Sequence, residues 1–225
     1  MRSASFDVTA LASLRHASST CHRELEESVF ARALGRGLLR PDQYACLLAA
    51  MRPFHALVEQ QIAASDDPRV ATVRGVVEPR APRLSADLDA LARERGPLDL
   101  DAAARAWESV AGAMPALDGA FLLGALYTLE GSALGGQVIL PRLRASLGVS
   151  DEALGYYIGH GADTRRRFGE LAARLEQALA EPAAIEEAGR GARWAFATVH
   201  ALFDELAART APVAGRARAV VASQE

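Results

Sequence analysis

The sequence predicts an all-α protein, a single helical domain of about seven to nine helices. Three observations predict it. Apolar residues recur at three- and four-residue spacing along most of the 225 residues, with no strand-like alternation and few β-branched runs. Half of the residues are hydrophobic, enough to bury a sizeable core. No break in composition and no internal repeat divides the chain.

The elements follow in order. A first helix is predicted from near Asp7 to about Ala33, with Leu11, Leu14, Ser18, Cys21, Leu25 and Val29 on one face and Gly35 and Gly37 ending it. Pro41 is a good first-turn residue for a second helix that runs through "YACLLAAMRPFHALVEQQIAA", with a kink predicted at Pro53. Residues 65–83 hold three prolines and the apolar run Val70 to Val77, which predicts a short helix between loops. Ser85 is the predicted cap of "SADLDALARER", and Gly96-Pro97 stops that helix. Another helix begins at "DAAARAWESVAGAM", and after Pro115 a long one carries "LDGAFLLGALYTLEGSALGGQVILPRLRASLG". Residues 148–162, "GVSDEALGYYIGHGA", read as a glycine-rich loop. Two last helices span Asp163 to about Ala180 and Pro182 to about Arg209. The domain thus covers 10–209, with tails at 1–9 and 210–225.

Charge and cysteine usage narrow the classes of function. A net charge of -3 and a pI near 6.0 argue against a general nucleic-acid binder. Every basic side chain is arginine, so a given arginine needs a positional argument before it means anything. No secretory signal is legible, and no apolar stretch reaches the roughly 18 residues of a membrane span. Cys21 and Cys46 read as free thiols, and the expectation is a soluble cytoplasmic protein. Phosphate loops, paired-cysteine metal spacing and a nucleophile elbow are missing from the sequence.

Two patterns stand out. The long helix contains "LEGSALGGQVIL", three glycines in six residues, each costing about 0.5–1 kcal/mol relative to alanine. Gly131, Gly135 and Gly136 clear one face, which admits either a closely packed helix or a flat ligand. Ser132 and Gln137 are polar, and a tight helix seam does not need them. The second pattern is His22 with Glu26, on one helix face at i, i+4, and Arg15 two turns before. A carboxylate so placed orients a metal-ligating imidazole, and the same spacing also suits a plain half-buried ion pair. His16 is read as solvated, His55 and His200 as packed, and His160 as a loop histidine between glycines. In "TRRRFGEL", one or two of Arg165, Arg166 and Arg167 are candidates to hold a carboxylate ligand.

Together, "LRHASSTCHRELE" and "LYTLEGSALGGQV" resemble the two haem-sandwiching helices of the haem oxygenase family, in the same order and about 110 residues apart. The C-terminal "IEEAGRGARWAFATVHALFDEL" and the preceding "YYIGHGADTRRRFGEL" are similar to the family's last segments, so the resemblance covers about residues 10–208. It implies haem b between a proximal and a distal helix of one bundle. His22 is then the iron ligand, Glu26 its carboxylate partner and Arg15 a propionate contact. Gly131, Ser132, Gly135 and Gly136 form the distal, catalytic face, with Tyr127 and Gln137 beside the haem and Arg165 or Arg166 at the propionates. Many family members carry an aspartate where this chain has Ser132, so proton delivery here needs another group. The implied reaction opens haem, cofactor and substrate at once, to biliverdin, carbon monoxide and ferrous iron. It uses O2 and electrons from an external ferredoxin or flavoprotein reductase, for iron release or to supply a bilin-accepting phytochrome. Two other readings stand beside it: a non-catalytic haem-binding or haem-transfer protein on the same scaffold, and a helical interaction module without haem.

Overall fold

The computed structural model describes residues 9–112 and 114–210, and among them every regular element is helical. The helices are α1 (Ala10–Glu27), α2 (Val29–Gly35), α3 (Pro41–Ala64), α4 (Pro68–Arg74) and α5 (Ala81–Arg95). They continue with α6 (Asp101–Ala111), α7 (Gly119–Leu147), α8 (Gly155–Ile158), α9 (Thr164–Ala178) and α10 (Pro182–Arg209). Short 3-10 turns at Asp151–Leu154 and Gly161–Asp163 flank α8. The expected tails fall outside the described residues, apart from Thr9 and Thr210.

Three sequence expectations are corrected by local chemistry. The first helix is two helices, because Ser28 leaves the helical conformation (φ -61°, ψ 153°) and its hydroxyl accepts the Ala31 N–H, capping α2. Ser85 caps nothing; it lies inside α5 and donates to the Ala81 carbonyl. The 148–162 segment is not a plain loop, since it holds α8 and its 3-10 turns and buries Leu154 and Tyr157. Pro53 lies inside α3, which is helical on both sides of it. At the chain's first described turn, Thr9 accepts the Ala12 N–H while the Glu176 carboxylate of α9 takes the free N–H groups of Ala10 and Leu11 at 2.8 and 3.1 Å. Those donors are the ones a helix start leaves unpaired, so this contact fixes α1 against α9.

The core is assembled around α10, which packs on α7 along much of its length and also carries α1, α2, α3 and α6. Small residues make this possible. A Cβ at Gly124 of α7 would collide with the Ala188 carbonyl, and one at Gly191 of α10 would collide with the Phe121 carbonyl. The two backbones therefore meet directly, through two glycines one on each helix. Thr128 tightens the crossing, its hydroxyl lying 3.3 Å from the Ala192 carbonyl and 3.4 Å from that of Gly124. Around it pack Phe54, Leu122, Leu123, Leu126 and Ala195, all at most 2% exposed.

Gly191→Ala is expected to destabilise the chain by about 2 kcal/mol or more, because the methyl must push whole helices apart. Gly169→Ala, where an added Cβ meets nothing within 4 Å in the interior of α9, is expected to stabilise by about 0.5–1 kcal/mol. Urea unfolding of both variants checks the pair; equal effects would contradict the crossing.

Candidate functional site

The two helices singled out by sequence hardly touch each other. Both α1 and α7 pack on α10 and on α9. His22 stands on the open flank of α1, its side chain 53% exposed, with its ring edge-on to Phe196 of α10 at 5.2 Å. Its Nε2 lies 3.7 Å from the Glu26 carboxylate, itself exposed. Arg15, two helical turns or about 10 Å before His22, is close enough to Tyr127 of α7 for its charge to favour the phenolate, although burial raises that phenol's pKa overall. Arg15 therefore brings its part of α1 within electrostatic reach of Tyr127 on α7.

On α7, Tyr127, Gly131 and Gly135 succeed one another at four-residue steps and form one face. Gly135 fronts open space, with nothing within 4 Å of an added Cβ. Gly131 has only the Phe168 ring of α9 near it, at 3.7 Å, and Phe168 also meets the Tyr127 ring at 6.3 Å. Ser132 is exposed beside this face and donates to the Leu129 carbonyl at 2.6 Å. Gly136 departs from the expectation of a three-glycine cleared face: it is buried, turned inward toward Tyr157 at 3.5 Å. Its absent side chain serves α8, not the open side.

Two further expected contacts are redirected. Gln137 is not at the open face; its amide donates to the carbonyls of Tyr157 and Ile158 at 3.0 Å each and so fastens the C-terminal end of α8. Arg166 is held in local pairs with Asp163 at 3.1 Å and Glu170 at 2.6 Å, and Arg167 lies 3.4 Å from Glu78. Arg165 is exposed and makes no hydrogen bond or ion pair among the described residues, which leaves it the free cation of the three. Cys21 and Cys46 are free thiols. A hollow of ≈650 Å³ where the end of α3 meets the segment before α7 is lined by Leu57, Gln61, Asp66, Asp67, Leu117 and Asp118. It contains none of the residues named above.

Sequence reading missed the polar junction behind Ser132. Arg80, 6% exposed, forms a two-pronged ion pair with Glu130 of α7 at 3.1 and 2.7 Å. Glu59 of α3 accepts the N–H groups of Arg80 and Ala81 at the start of α5, at 2.6 and 3.2 Å. Burial raises the Glu59 pKa against these donors. His55, one turn before Glu59, is 1% exposed, and burial holds its pKa down to about 3, so the ring is neutral. Its Nε2 is 3.0 Å from the Tyr156 hydroxyl of α8, beside which the Ser132 hydroxyl lies. The one available signal was the His55–Glu59 spacing, identical to His22–Glu26 but set in an apolar stretch. Asp87 of α5 holds the other end of α8: its carboxylate accepts the Tyr156 N–H at 2.8 Å and also faces the Gly155 N–H.

A Heme oxygenase family model matches residues 8–205, most of the chain, and the chain belongs to that family. Among solved structures it is similar to heme oxygenase-1 of the cyanobacterium Synechocystis, in complex with heme. That match has a TM-score of 0.67 and 20% identity over 88% of this chain and 92% of that one. Heme oxygenase-2 of the same organism, in complex with heme and NO, matches with TM-score 0.69 and 18% identity, covering 88% and 85%. The heme oxygenase of Leptospira interrogans matches with TM-score 0.68 and 16% identity, covering 88% and 99%. A Shewanella denitrificans domain of unknown function with a heme oxygenase-like fold also matches, at TM-score 0.59 and 12% identity over 85% and 89%. No curated protein matches in sequence. These identities establish a shared fold.

Asp87 supplies a pH test of the junction. Burial raises its pKa from 3.8 to about 6, opposed by the two α8 N–H groups and Arg83. The folded chain therefore holds this proton more tightly than the unfolded chain does. The stability this gives is complete below about pH 4 and is lost as pH rises through about 6. Relative to wild type, Asp87→Asn should gain up to about 3 kcal/mol between pH 4 and pH 7. Urea midpoints at the two pH values measure it; a constant difference contradicts the assignment.

Proposed function

We propose that the chain is a haem oxygenase, opening haem to biliverdin, carbon monoxide and ferrous iron with O2 and electrons from a separate donor. The observation that carries this reading is an exposed imidazole on α1 together with a stretch of α7 bare of side chains at Gly131 and Gly135, on two helices that pack against the same α9 and α10 while hardly touching each other. A planar macrocycle suits such a slot. A third helix does not, because it would leave His22 with nothing to do.

The residues fit the group. His22 would bind iron through one ring nitrogen while Glu26 takes the proton of the other, setting the tautomer and strengthening the ligand. Arg15 and Arg165 are exposed cations available for the propionates through charge-assisted hydrogen bonds. Phe196 beside His22, and Tyr127 and Phe168 beside Gly131, would give a bound macrocycle aromatic surface to rest on. Bound haem would supply the oxygen chemistry, acting on its own ring. The protein's share is orientation: the bare backbone at Gly135 would let α7 lie close against the macrocycle. Ser132 presents a hydroxyl there without a charge. Electrons come from a ferredoxin or flavoprotein reductase, because the sequence holds no flavin or nicotinamide fingerprint.

Hemin added to the chain should give a Soret band, and His22→Ala should change its position. Ascorbate or a ferredoxin system under air should then bleach that band as biliverdin absorbance rises. A Soret band that persists under those conditions identifies a haem-binding or haem-transfer protein instead, and a spectrum like free hemin rejects both.

Gly135→Ala separates ligand from packing. In the haem-free chain it should be neutral or stabilising by up to about 1 kcal/mol, since alanine is the better helix former. Hemin affinity should nonetheless fall at least tenfold by titration. Undiminished affinity would place the ligand elsewhere.

A further inference from the structure

Ser132 leaves the open face of α7 without a carboxylate. Behind it the side chains of Tyr156, His55 and Glu59 follow in sequence, from two other parts of the chain, α8 and α3. The Ser132 hydroxyl lies beside that of Tyr156, the Tyr156 hydroxyl lies 3.0 Å from His55 Nε2, and His55 Nδ1 lies 3.7 Å from Glu59 Oε1. The central contact is a hydrogen bond, and at each of the two outer gaps a small side-chain rotation or one water completes the path. His55 is buried, while the Glu59 side chain keeps 14% exposure, so the far end of the series reaches solvent. On the haem oxygenase reading above, we propose that Glu59, His55, Tyr156 and Ser132 form a proton wire that feeds the distal side of the slot, in place of a distal carboxylate.

The direction of the hydrogen bonds makes the transfer concrete. Ser132 donates to Leu129 O, so in the proposed wire its oxygen takes the Tyr156 proton, and the Tyr156 oxygen takes that of a His55 ring protonated at Nε2. When Ser132 turns to give its proton to an acceptor in the slot, Tyr156 reprotonates Ser132 and His55 Nε2 reprotonates Tyr156. The Glu59 carboxylic acid supplies His55 Nδ1. Every intermediate member ends neutral, with the opposite histidine tautomer. Glu59 alone is left ionised, and water reprotonates it. The wire resets when the His55 ring turns over and the hydroxyls rotate back, which again presents a protonated ring nitrogen to Tyr156 without withdrawing the delivered proton.

Glu59 suits the role of donor because burial raises its carboxyl pKa above the usual 4.5, with Glu130 of α7 adding to the rise. The Arg80 guanidinium and the N–H groups of Arg80 and Ala81 oppose it from the start of α5. The remaining groups that face the wire are the Tyr156 phenol from α8 and neutral His55 from α3 itself. Arg80 is the cation against both Glu59 and Tyr156, and Glu130 neutralises it. Asp87 acts on the wire as a positioning residue, since it fixes the first turn of α8 and hence the reach of Tyr156.

The haem-free chain tests the wire directly. In 15N-histidine NMR, His55 should stay neutral with its proton on Nε2, and Tyr156→Phe should shift that resonance. Closing both ends in the double variant Glu59→Gln with Ser132→Ala should slow exchange of the Nε2 proton with water at least tenfold. Exchange at the wild-type rate in that variant, or a resonance indifferent to Tyr156→Phe, overturns the proposal. In the hemin-loaded chain, Glu59→Gln and Tyr156→Phe should each slow single-turnover Soret decay at least tenfold with hemin affinity unchanged. The wild-type rate should fall as pH rises through the Glu59 pKa, and Glu59→Gln should lose that limb; wild-type decay and an unaltered profile in both variants also overturn it. A wild-type hemin complex that never turns over sinks the functional reading alone, and the exchange measurement still decides the wire.

Discussion

Where α7 crosses α10, backbone meets backbone through Gly124 and Gly191, and most of the molecule's geometry is downstream of that contact. Helices separated by ordinary side chains lie 8–10 Å apart; glycine on both removes the spacer. The close approach seats α10 deep enough to serve as a common support for α1 and α7. Phe196 of α10 then meets the His22 ring of α1. The spacing of α1 and α7 on that support is in this sense set by two missing methyl groups, at Gly124 and Gly191.

A second set of constraints is electrostatic. Arg80, Glu130, Glu59, His55 and Tyr156 bring charge and hydrogen bonding into an interior that is otherwise alanine and leucine. Such groups survive burial only when each is answered, and among the described residues no buried side-chain nitrogen or oxygen lacks a partner. The junction ties α3, the start of α5, α7 and α8 together. A helix of only four residues has no stability of its own. Asp87 at one end of α8 and Gln137 at the other provide it.

Helical periodicity made the fold class and most helix bounds legible in sequence, because each is a local pattern. What escaped was non-local. Ser28 ends α1 through a cap, and its side-chain choice between helix interior and N-cap depends on where α2 must go. The glycines and paired tyrosines of 148–162 look like a loop until Asp87 and Gln137, far away in the chain, bond to the backbone there. Gln137 and Gly136 shared the local signature of ligand contacts and turned out to serve α8. Three His–acid pairs at i, i+4 are equivalent in sequence and equal in separation at 3.7 Å: His22–Glu26, His55–Glu59 and His200–Asp204. Only burial distinguishes them, with side-chain exposures of 53% at His22 and 2% at His55. Periodicity could not rank them, since burial depends on what the other helices cover.

The glycines of α7 carry one more consequence. Gly124 and Gly135 are the same residue on the same helix, eleven positions apart, yet they answer to different pressures. A variant at 124 is lost as misfolded chain whatever the protein binds. A variant at 135 yields a well-folded, even sturdier chain, so folding alone would let alanine drift in. On the proposed function, glycine at 135 would be kept against the grain of helix stability, and a survey of natural variation would register it as a trace of the ligand rather than of the fold.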